Sequence, residues 1–214
     1  MTPVTVPDLS EERALLGAGY THVAGIDEVG RGAWAGPVCA AAVVLPLHRA
    51  DLEARLTGVR DSKLCSPVQR EALWGVIRGV AVGIGVGWAT PAEVDALGIA
   101  PATRRAMERA VAELPLAVDA LLLDYVRLPG VALPQRAFPK ADVRCLSVAA
   151  ASIIAKVERD RLMAALDVEV PGYAFARHKG YGTQLHRQAL ERLGPSRVHR
   201  MSWKPLQETK WTVS

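Results

Sequence analysis

The order of apolar runs along the chain constrains its fold more than any other feature. Three early segments, residues 22–26, 38–45 and 80–88, have the length and composition of buried strands. The close spacing of the first two favours a hairpin-like antiparallel pair. Residues 120–124 and 132–138 are later strand candidates, and segments with helix signals lie between them. Three early strands followed by alternating helices and strands predict an α/β fold, with a mixed sheet covered by helices.

Local signals mark where the helices begin. Ser66 and Thr90 each start a capping box with proline at the next position. We therefore expect helices from Ser66 to about Arg78 and from Thr90 to Gly98. Apolar spacing and alanine content predict three more helices, over residues 101–114, 147–166 and 183–193.

Composition excludes several classes of protein. The chain has 214 residues, half of them hydrophobic, which suits one domain with a sizeable core. Its longest apolar run, residues 38–45, is too short to cross a bilayer. Residues 1–13 carry three acids and no signal-type apolar stretch, so we expect a cytoplasmic protein. The three cysteines are odd in number and far apart, which fits neither a disulfide framework nor a zinc site.

Residues 25–37 combine adjacent acids with a glycine-rich turn. Asp27 and Glu28 would point to opposite faces of a strand, but a bend through Gly30 and Gly32 could bring both toward one pocket. Carboxylates bind hard divalent cations, while glycine N–H groups and Arg31 suit phosphate or hydroxyl oxygens. The segment suggests metal-assisted chemistry on a phosphodiester. The alternative is a solvated turn after an edge strand.

Two further acids fit the same interpretation. Asp124 ends the fourth predicted strand, and Asp142 precedes the alanine-rich helix. If the first and fourth strands are parallel neighbours, Asp27, Glu28 and Asp124 emerge at one sheet edge and Asp142 could close the pocket. Carboxylates about 4 Å apart repel by roughly 4 kcal/mol at an effective dielectric near 20, so such a cluster favours bound cations. Oxygen ligands point to two Mg²⁺ or Mn²⁺ ions. Separately, Asp124 could bond a turn and Asp142 could cap a helix.

Basic residues concentrate near the C-terminus. The net charge is +4 and the pI about 9.1, and residues 177–204 carry seven cations against the single acid Glu191. Aromatic and histidine rings, including Tyr181 and Trp203, are interleaved with these cations. Such a segment suits contacts with nucleic acid, although a solvated helix face is the ordinary alternative. A basic surface around an acidic pocket is what a metal-dependent nuclease needs.

These motifs together resemble bacterial ribonuclease HII, the type 2 ribonuclease H family. The resemblance covers nearly the whole chain, residues 23–205. Its distinctive pieces are residues 25–32 with 35–37, Asp61-Ser-Lys63, residues 149–156 with Arg159 and Asp160, and residues 178–183 with His199 and Arg200.

The resemblance implies a ribonuclease H-like fold, three antiparallel strands followed by parallel ones, with a small helical C-terminal element over about residues 178–214. It implies cleavage of RNA in RNA–DNA hybrids, incision beside single ribonucleotides in duplex DNA, and Mn²⁺ or Mg²⁺ as cofactor. The residues that resemble the family's metal-binding and catalytic acids are Asp27, Glu28, Asp124 and Asp142. Those that resemble its substrate-binding elements are Gly30, Arg31, Gly32 and Tyr181 at the ribose 2′-hydroxyl, and Lys63 near the phosphates. We expect a monomer without a membrane partner.

Some positions depart from the family pattern. Ala141 precedes the fourth acid where glycine is usual, and Tyr125 follows Asp124 where glycine is common and could narrow the approach to the metals. Arg31 could instead form a surface ion pair, and Tyr181 could be a core tyrosine.

Other motif residues have structural interpretations. We interpret Lys156, Arg159 and Asp160 as structural ion pairs and Trp34 as a packed indole. The three histidines of the C-terminal region, which are His178, His186 and His199, could contact phosphates or serve as ordinary polar surface. Competing functions are a non-catalytic hybrid-binding protein, an enzyme for continuous hybrids only, and a DNA-cutting nuclease of the same fold.

Overall fold

The computed structural model describes residues 6–207 and contains a five-stranded mixed sheet of strand order β3-β2-β1-β4-β5. The strands are β1 (Val23–Val29), β2 (Val38–Val44), β3 (Gly83–Ala89), β4 (Ala120–Asp124) and β5 (Gln135–Phe138). Strand β2 pairs antiparallel with β1 and β3, while β4 pairs parallel with β1 and β5. The predicted mixed sheet, antiparallel first and then parallel, is confirmed.

Helices cover both faces of the sheet. They are α1 (Ser10–Gly17), α2 (Leu52–Arg55), α3 (Pro67–Val80), α4 (Pro91–Leu97), α5 (Ile99–Ala112), α6 (Leu146–Glu169), α7 (Phe175–His178), α8 (Gln184–Leu193) and α9 (Lys204–Gln207). Both predicted capping boxes form, at Ser66 and Thr90. The short helices α1, α2, α7 and α9 are too brief to leave a periodic signal in the sequence. No helix between residues 6 and 207 has the length and apolarity needed to cross a membrane.

Helices α6 and α5 pack on opposite faces of the sheet. Helix α5 lies directly on the glycine side of β3. A Cβ added to Gly85 would lie 2.0 Å from the carbonyl oxygen of Ala110, so a larger residue would force the helix away. The small side of this strand therefore lies under a helix, as the alternation of Gly with Val, Ile and Trp predicts.

Two strand predictions need correction. Strand β1 continues through Asp27 and Glu28 to Val29, because these residues pair with β2 as far as Cys39. The turn that was expected to gather the two acids therefore begins only after both of them. The apolar run of residues 120–124 also predicts a fully buried central strand, but β1 holds that place and β4 lies between β1 and β5.

A separate apolar cluster joins the end of α6 to the C-terminal helices. Met163, Phe175 and Leu190 form its interior, and Ala35 of the loop after β1 belongs to it. The predicted C-terminal element therefore packs against the glycine-rich loop. Its last residues, 208–214, lie outside the described part of the chain.

Candidate active site

Strands β1 and β4 bring two of the predicted acids to one edge of the sheet. Ile26 pairs with Leu123 in the parallel ladder, so Asp27 and Asp124 follow at the same level on neighbouring strands. This is the edge at which α/β sheets collect ligands. Asp27 is only 7% exposed.

The acids at this edge act on each other electrostatically. Burial raises the pKa of Asp27 well above its usual range, and the negative charges of Glu28, Asp142 and Asp124 raise it further. The pKa of Glu28 is also raised, mainly by burial and also by Asp124, although Arg31 acts against this. Asp27 and Glu28 are successive residues of an extended strand, so this proximity does not come from a bend between them.

Glu28 has one occupied and one unoccupied oxygen. Its Oε1 accepts a hydrogen bond from Arg31 Nη1 at 3.1 Å. Its Oε2 is buried and has no hydrogen-bond partner. Leaving a buried carboxylate oxygen unpaired is costly, so this atom has the character of a ligand position. The ion pair that was one alternative for Arg31 is present. Its partner is Glu28, one of the candidate metal ligands.

Asp124 fixes the turn that carries the fourth acid. Its Oδ1 accepts the backbone N–H of Ala141 at 3.0 Å. Tyr125, the next residue, has a φ of 62°, in the left-handed region that favours glycine. Its side chain is 72% exposed. Ala141 is buried beside this bond and lies outside the left-handed region, so an alanine fits there without strain.

Asp142 lies in a 3₁₀ turn, Ala141–Val143, and is buried. The N-cap of α6 is Cys145, so the helix-capping alternative for Asp142 is wrong. Lys63 Nζ reaches to 3.9 Å from Asp142 Oδ2 and to 3.8 Å from Asp61 Oδ1. Burial raises the pKa of Asp142, and the charges of Asp61 and Asp124 add to it.

Asp61 is therefore a fifth carboxylate beside the site, and we did not identify it as a candidate from the sequence. It caps the short turn Ser62–Leu64 by accepting the N–H of Lys63. Burial disfavours the charge of Lys63, but Asp61, Asp27 and Asp142 outweigh this and raise its pKa. Lys63 is thus a permanent cation at the rim of the acidic pocket.

The chemistry of these donors suits a divalent cation. No three His, Cys, Asp or Glu side chains within residues 6–207 surround one point closely enough to hold a metal ion as they stand. The acids nevertheless repel one another, and Glu28 offers a buried oxygen with no partner. Both costs are relieved by a bound cation with oxygen ligands. The four predicted acids fit such a group.

The glycine-rich loop after β1 lies against the segment that carries Tyr181. The N–H groups of Trp34 and Ala35 donate to the carbonyl oxygen of Gly180 at 2.8 and 3.2 Å. Trp34 is partly buried and packs against Gly182, which agrees with its interpretation as a packed indole. Tyr181 itself is half-buried, with the guanidinium of Arg159 5.6 Å from its ring centroid.

Two fully buried arginines hold these elements together. Arg200 donates to the carbonyl oxygen of Gly36 through two nitrogens and to that of Arg31 at 2.9 Å. Arg159 donates to the carbonyl oxygens of Pro37, Ala35 and Lys179. A Cβ on Gly30, which has a φ of 90°, would lie 2.2 Å from Arg159 Nε, so this position requires glycine.

Several predictions for the basic segment, residues 177–204, and the prediction for Arg159 are therefore wrong. Arg200 is not a surface cation, and Arg159 is held by backbone carbonyls rather than by an ion pair. The three histidines of the C-terminal region are buried and do not form polar surface. The predicted ion pair between Lys156 and Asp160 is confirmed, at 2.6 Å.

Solved structures define the class of fold. Ribonuclease H2 from Pyrococcus horikoshii OT3 superposes with a TM-score of 0.72 and 26% identity, over 87% of this chain and 96% of that chain. The ribonuclease HII of Archaeoglobus fulgidus, solved in complex with PCNA, gives a TM-score of 0.71 and 29% identity, over 88% of this chain and 98% of that chain. The fold is that of the type 2 ribonucleases H.

Sequence relatives define the family. Residues 24–206 match the family model described as ribonuclease HII. Ribonuclease HII of Roseiflexus castenholzii is 54% identical over 200 residues, 94% of this chain and 89% of that protein. A ribonuclease HII of Thermus thermophilus is 54% identical over 184 residues, 86% of this chain and 87% of that protein. The chain belongs to the ribonuclease HII family, and it is an enzyme of the nuclease class.

The repulsion among the acids predicts a stability gain when one is neutralised. Because the pKa of Asp27 is raised in the folded protein, ionisation costs stability once the pH exceeds the usual value of about 3.9, and the cost grows toward the raised pKa. Asp27→Asn should therefore raise the melting temperature of metal-free protein at neutral pH, by about 2–4 °C for each kcal/mol relieved. Differential scanning fluorimetry measures this.

With added Mn²⁺ the wild type should have the higher melting temperature of the two proteins. It keeps the full set of ligands, so ion binding stabilises it more than it stabilises Asp27→Asn. Glu113→Gln, which neutralises an exposed acid, is the matched control. An Asp27→Asn protein that is less stable than the wild type without metal would contradict this view of the site.

Proposed function

We propose that the enzyme cuts RNA in RNA–DNA hybrids and incises duplex DNA on the 5′ side of a single embedded ribonucleotide. The observation that supports this most strongly is the group of mutually repelling acids at the edge of β1 and β4, in a chain of the ribonuclease HII family. Under this proposal Asp27, Glu28, Asp124 and Asp142 hold two Mn²⁺ or Mg²⁺ ions.

Each acid has a distinct part in holding the metals. Asp27 and Asp124 present oxygens from neighbouring strands, and Glu28 adds its unpaired buried oxygen. Asp142 completes the set from a turn that Asp124 itself positions. Bound divalent cations would supply an activated water and stabilise the charge on the leaving oxygen.

The proposed reaction is a hydrolysis in which one bond forms and one breaks. The oxygen of a water molecule forms a bond to the phosphorus on the 5′ side of the ribonucleotide, and the bond from phosphorus to the preceding O3′ breaks. The attacking water gives up a proton, and the departing O3′ takes one up. The products are a 3′-hydroxyl on the upstream strand and a 5′-phosphate on the ribonucleotide.

Discrimination between RNA and DNA requires contact with the 2′-hydroxyl. The loop Gly30-Arg31-Gly32 supplies backbone groups for it, and Arg200 holds that loop at the carbonyl of Arg31. Tyr181 follows Gly180, which accepts the N–H groups of Trp34 and Ala35 farther along the same loop, and this proximity supports a contact between the Tyr181 ring and the sugar. Lys63, at the rim of the pocket, suits a substrate phosphate.

The same proposal assigns residues from about 178 onward to substrate binding within a single domain. The substrate partners are RNA–DNA hybrid and ribonucleotide-containing duplex DNA. A cytoplasmic location and a monomeric state stay predictions of the sequence. A non-catalytic hybrid-binding protein is disfavoured, because all four acids are present and lie close enough for their charges to raise the pKa of Asp27 and of Asp142.

The proposal is tested by a panel of three duplexes incubated with Mn²⁺, Mg²⁺ or EDTA. One duplex carries a single ribonucleotide, one is a continuous RNA–DNA hybrid, and one is all DNA. We expect metal-dependent cleavage of the first two and none of the third. Cleavage of the all-DNA duplex, or of none, would contradict the proposal.

Replacing Tyr181 tests the proposed contact with the sugar. We expect Tyr181→Ala to lower the preference for an embedded ribonucleotide over a continuous hybrid by about tenfold, which corresponds to a loss of about 1.4 kcal/mol. Tyr181→Phe is the matched control, because it keeps the ring and should keep most of the preference. The measurement is kcat/KM on both duplexes, and an unchanged ratio in Tyr181→Ala would remove Tyr181 from recognition.

A further inference from the structure

Three buried histidines lie next to the backbone of residues 180–181, and the proposed chemistry does not use them. His178, His186 and His199 are 8%, 0% and 2% exposed. The rings of His178 and His186 stack at 4.4 Å between centroids, with an interplanar angle of 12°. Phe175 packs edge-on against both rings. We call these three histidine side chains the histidine cluster.

The partners of His186 and His199 fix which ring nitrogens carry protons. His186 Nδ1 lies 3.0 Å from the carbonyl oxygen of Tyr181, which can only accept, so Nδ1 carries the proton. His186 Nε2 is then an acceptor, and it lies 3.1 Å from His199 Nε2, which must therefore donate. His199 Nδ1 is left to accept the backbone N–H of Ser196 at 2.9 Å.

His178 is fixed in the same way on the other side of Tyr181. Its Nε2 lies 2.7 Å from the carbonyl oxygen of Tyr173 and must donate. Its Nδ1 accepts the N–H of Gly180 at 3.1 Å. The residue before Tyr181 and the carbonyl of Tyr181 itself are thus each held by an imidazole.

This arrangement requires neutral rings at His186 and His178. A second proton on His186 would direct its Nε2–H at the Nε2–H of His199, and one on His178 would direct its Nδ1–H at the N–H of Gly180. Burial lowers the pKa of all three, and that of His186 and of His199 to about 4. The charges that act on the cluster are those of Asp167 and Arg177 on His178, and of the rings on one another. Asp167, which favours a charged ring, is opposed by Arg177.

We infer that His186 and His178 are positioning residues for recognition of the ribose: by bonding the backbone on both sides of Tyr181, they fix where its ring meets the sugar. The inference rests on the sugar-sensing role proposed for Tyr181. His199 acts indirectly: its Nε2–H donates to His186 Nε2, and this bond fixes the tautomer of His186. A displacement of about 1 Å at such a contact can cost about 10²-fold in rate, so backbone bonds behind the ring matter.

The test uses variants that separate the hydrogen bond from the packing of the ring. His186→Phe keeps a flat ring against Phe175 and His178 but cannot donate to the carbonyl of Tyr181. His186→Asn offers an amide N–H at the place of Nδ1. We expect the preference for an embedded ribonucleotide over a continuous hybrid to fall about tenfold in His186→Phe, mainly through kcat, and to recover to within about threefold of wild type in His186→Asn. His48→Phe is the control. His48 is exposed and follows the end of β2, which lies beside the start of β1, whereas Asp27 lies toward the other end of β1.

Equal losses on both substrates in folded His186→Phe would mean a structural role only and would overturn the inference. Measuring Tyr181→Ala in the same assay distinguishes failure of the sugar-sensing role of Tyr181 from failure of the positioning role of His186. If Tyr181→Ala keeps the preference, the sugar-sensing role itself is wrong. If Tyr181→Ala loses it and His186→Phe keeps it, only the positioning role is wrong.

An NMR measurement on the wild type covers the case in which His186→Phe does not fold. Nitrogen-15 shifts of the imidazoles should show His186 protonated at Nδ1 and His178 at Nε2, with no titration of His186 between pH 7 and 5. The opposite tautomer of His186, or titration near pH 6.5, would overturn the inference.

Discussion

Replacing Asp124 by asparagine is expected to lower metal-dependent cleavage by about 10³-fold or more while leaving duplex binding nearly unchanged. The asparagine side chain keeps an oxygen where Asp124 Oδ1 accepts the N–H of Ala141, so the turn that carries Asp142 should stay in place. Under the proposed mechanism, the variant loses a negative charge that would help to hold a divalent cation. The loss therefore falls on the chemical step and not on the fold.

The measurement is single-turnover cleavage with Mn²⁺, beside fluorescence anisotropy for duplex binding without metal. Asp119→Asn is the matched control. Asp119 comes just before the first residue of β4, whereas Asp124 is its last, and Asp119 accepts the backbone N–H groups of Thr21 and His22. It should cleave at close to the wild-type rate. Near-normal turnover by Asp124→Asn would remove Asp124 from the mechanism.

The second large effect is expected from Arg200→Met. The variant leaves the carbonyl oxygens of Gly36 and Arg31 without their donor in a buried site. An unsatisfied buried acceptor costs about 1–3 kcal/mol, so the loss of donors to two acceptors should lower the free energy of unfolding by about 2–6 kcal/mol. The loop that carries Gly30, Arg31 and Gly32 should loosen as well, and cleavage at embedded ribonucleotides should decline with it.

Urea unfolding measures the change in stability, and kcat/KM on the embedded-ribonucleotide duplex measures the effect on the loop. Arg197→Met is the control, because Arg197 forms an exposed pair with Glu169 that should contribute about 1 kcal/mol or less. If Arg200→Met is as stable as this control, the buried bonds of Arg200 do not hold the loop.

Local signals in the sequence were sufficient for much of the fold. Helices α3 and α4 were predicted because a capping box and a proline act within four residues. The extension of β1 through Asp27 and Glu28 was missed because it depends on pairing with Ala41 and Ala40 of another strand. Acids look like the end of a strand in sequence, whereas backbone pairing decides where the strand ends.

The sequence was sufficient to predict that the four acids lie together, but it was misread where side chains bond to backbone partners. Arg159 and Arg200 look like surface or paired cations, but their partners are carbonyl oxygens more than 100 residues away in some cases, as with Arg200 and Gly36. The histidine cluster was misread for the same reason. Asp61 was overlooked because its approach to Asp142 depends on two turns that meet only in three dimensions.

The departures from the family pattern have a physical explanation in the structure. The left-handed φ of Tyr125 is the conformation that glycine adopts at least cost, and here a tyrosine accepts it with its side chain in solvent. Ala141 needs no such conformation, so replacement of glycine before the fourth acid leaves the bond to Asp124 intact.

The most direct test of the proposed mechanism is to map the ends produced when purified protein, Mn²⁺ and a duplex with one ribonucleotide are mixed. If Asp27, Glu28, Asp124 and Asp142 hold divalent cations that activate water, we expect one cut on the 5′ side of the ribonucleotide, with a 3′-hydroxyl and a 5′-phosphate, and no cut in EDTA. Ends that carry a 2′,3′-cyclic phosphate, or cleavage that persists without divalent metal, would contradict it.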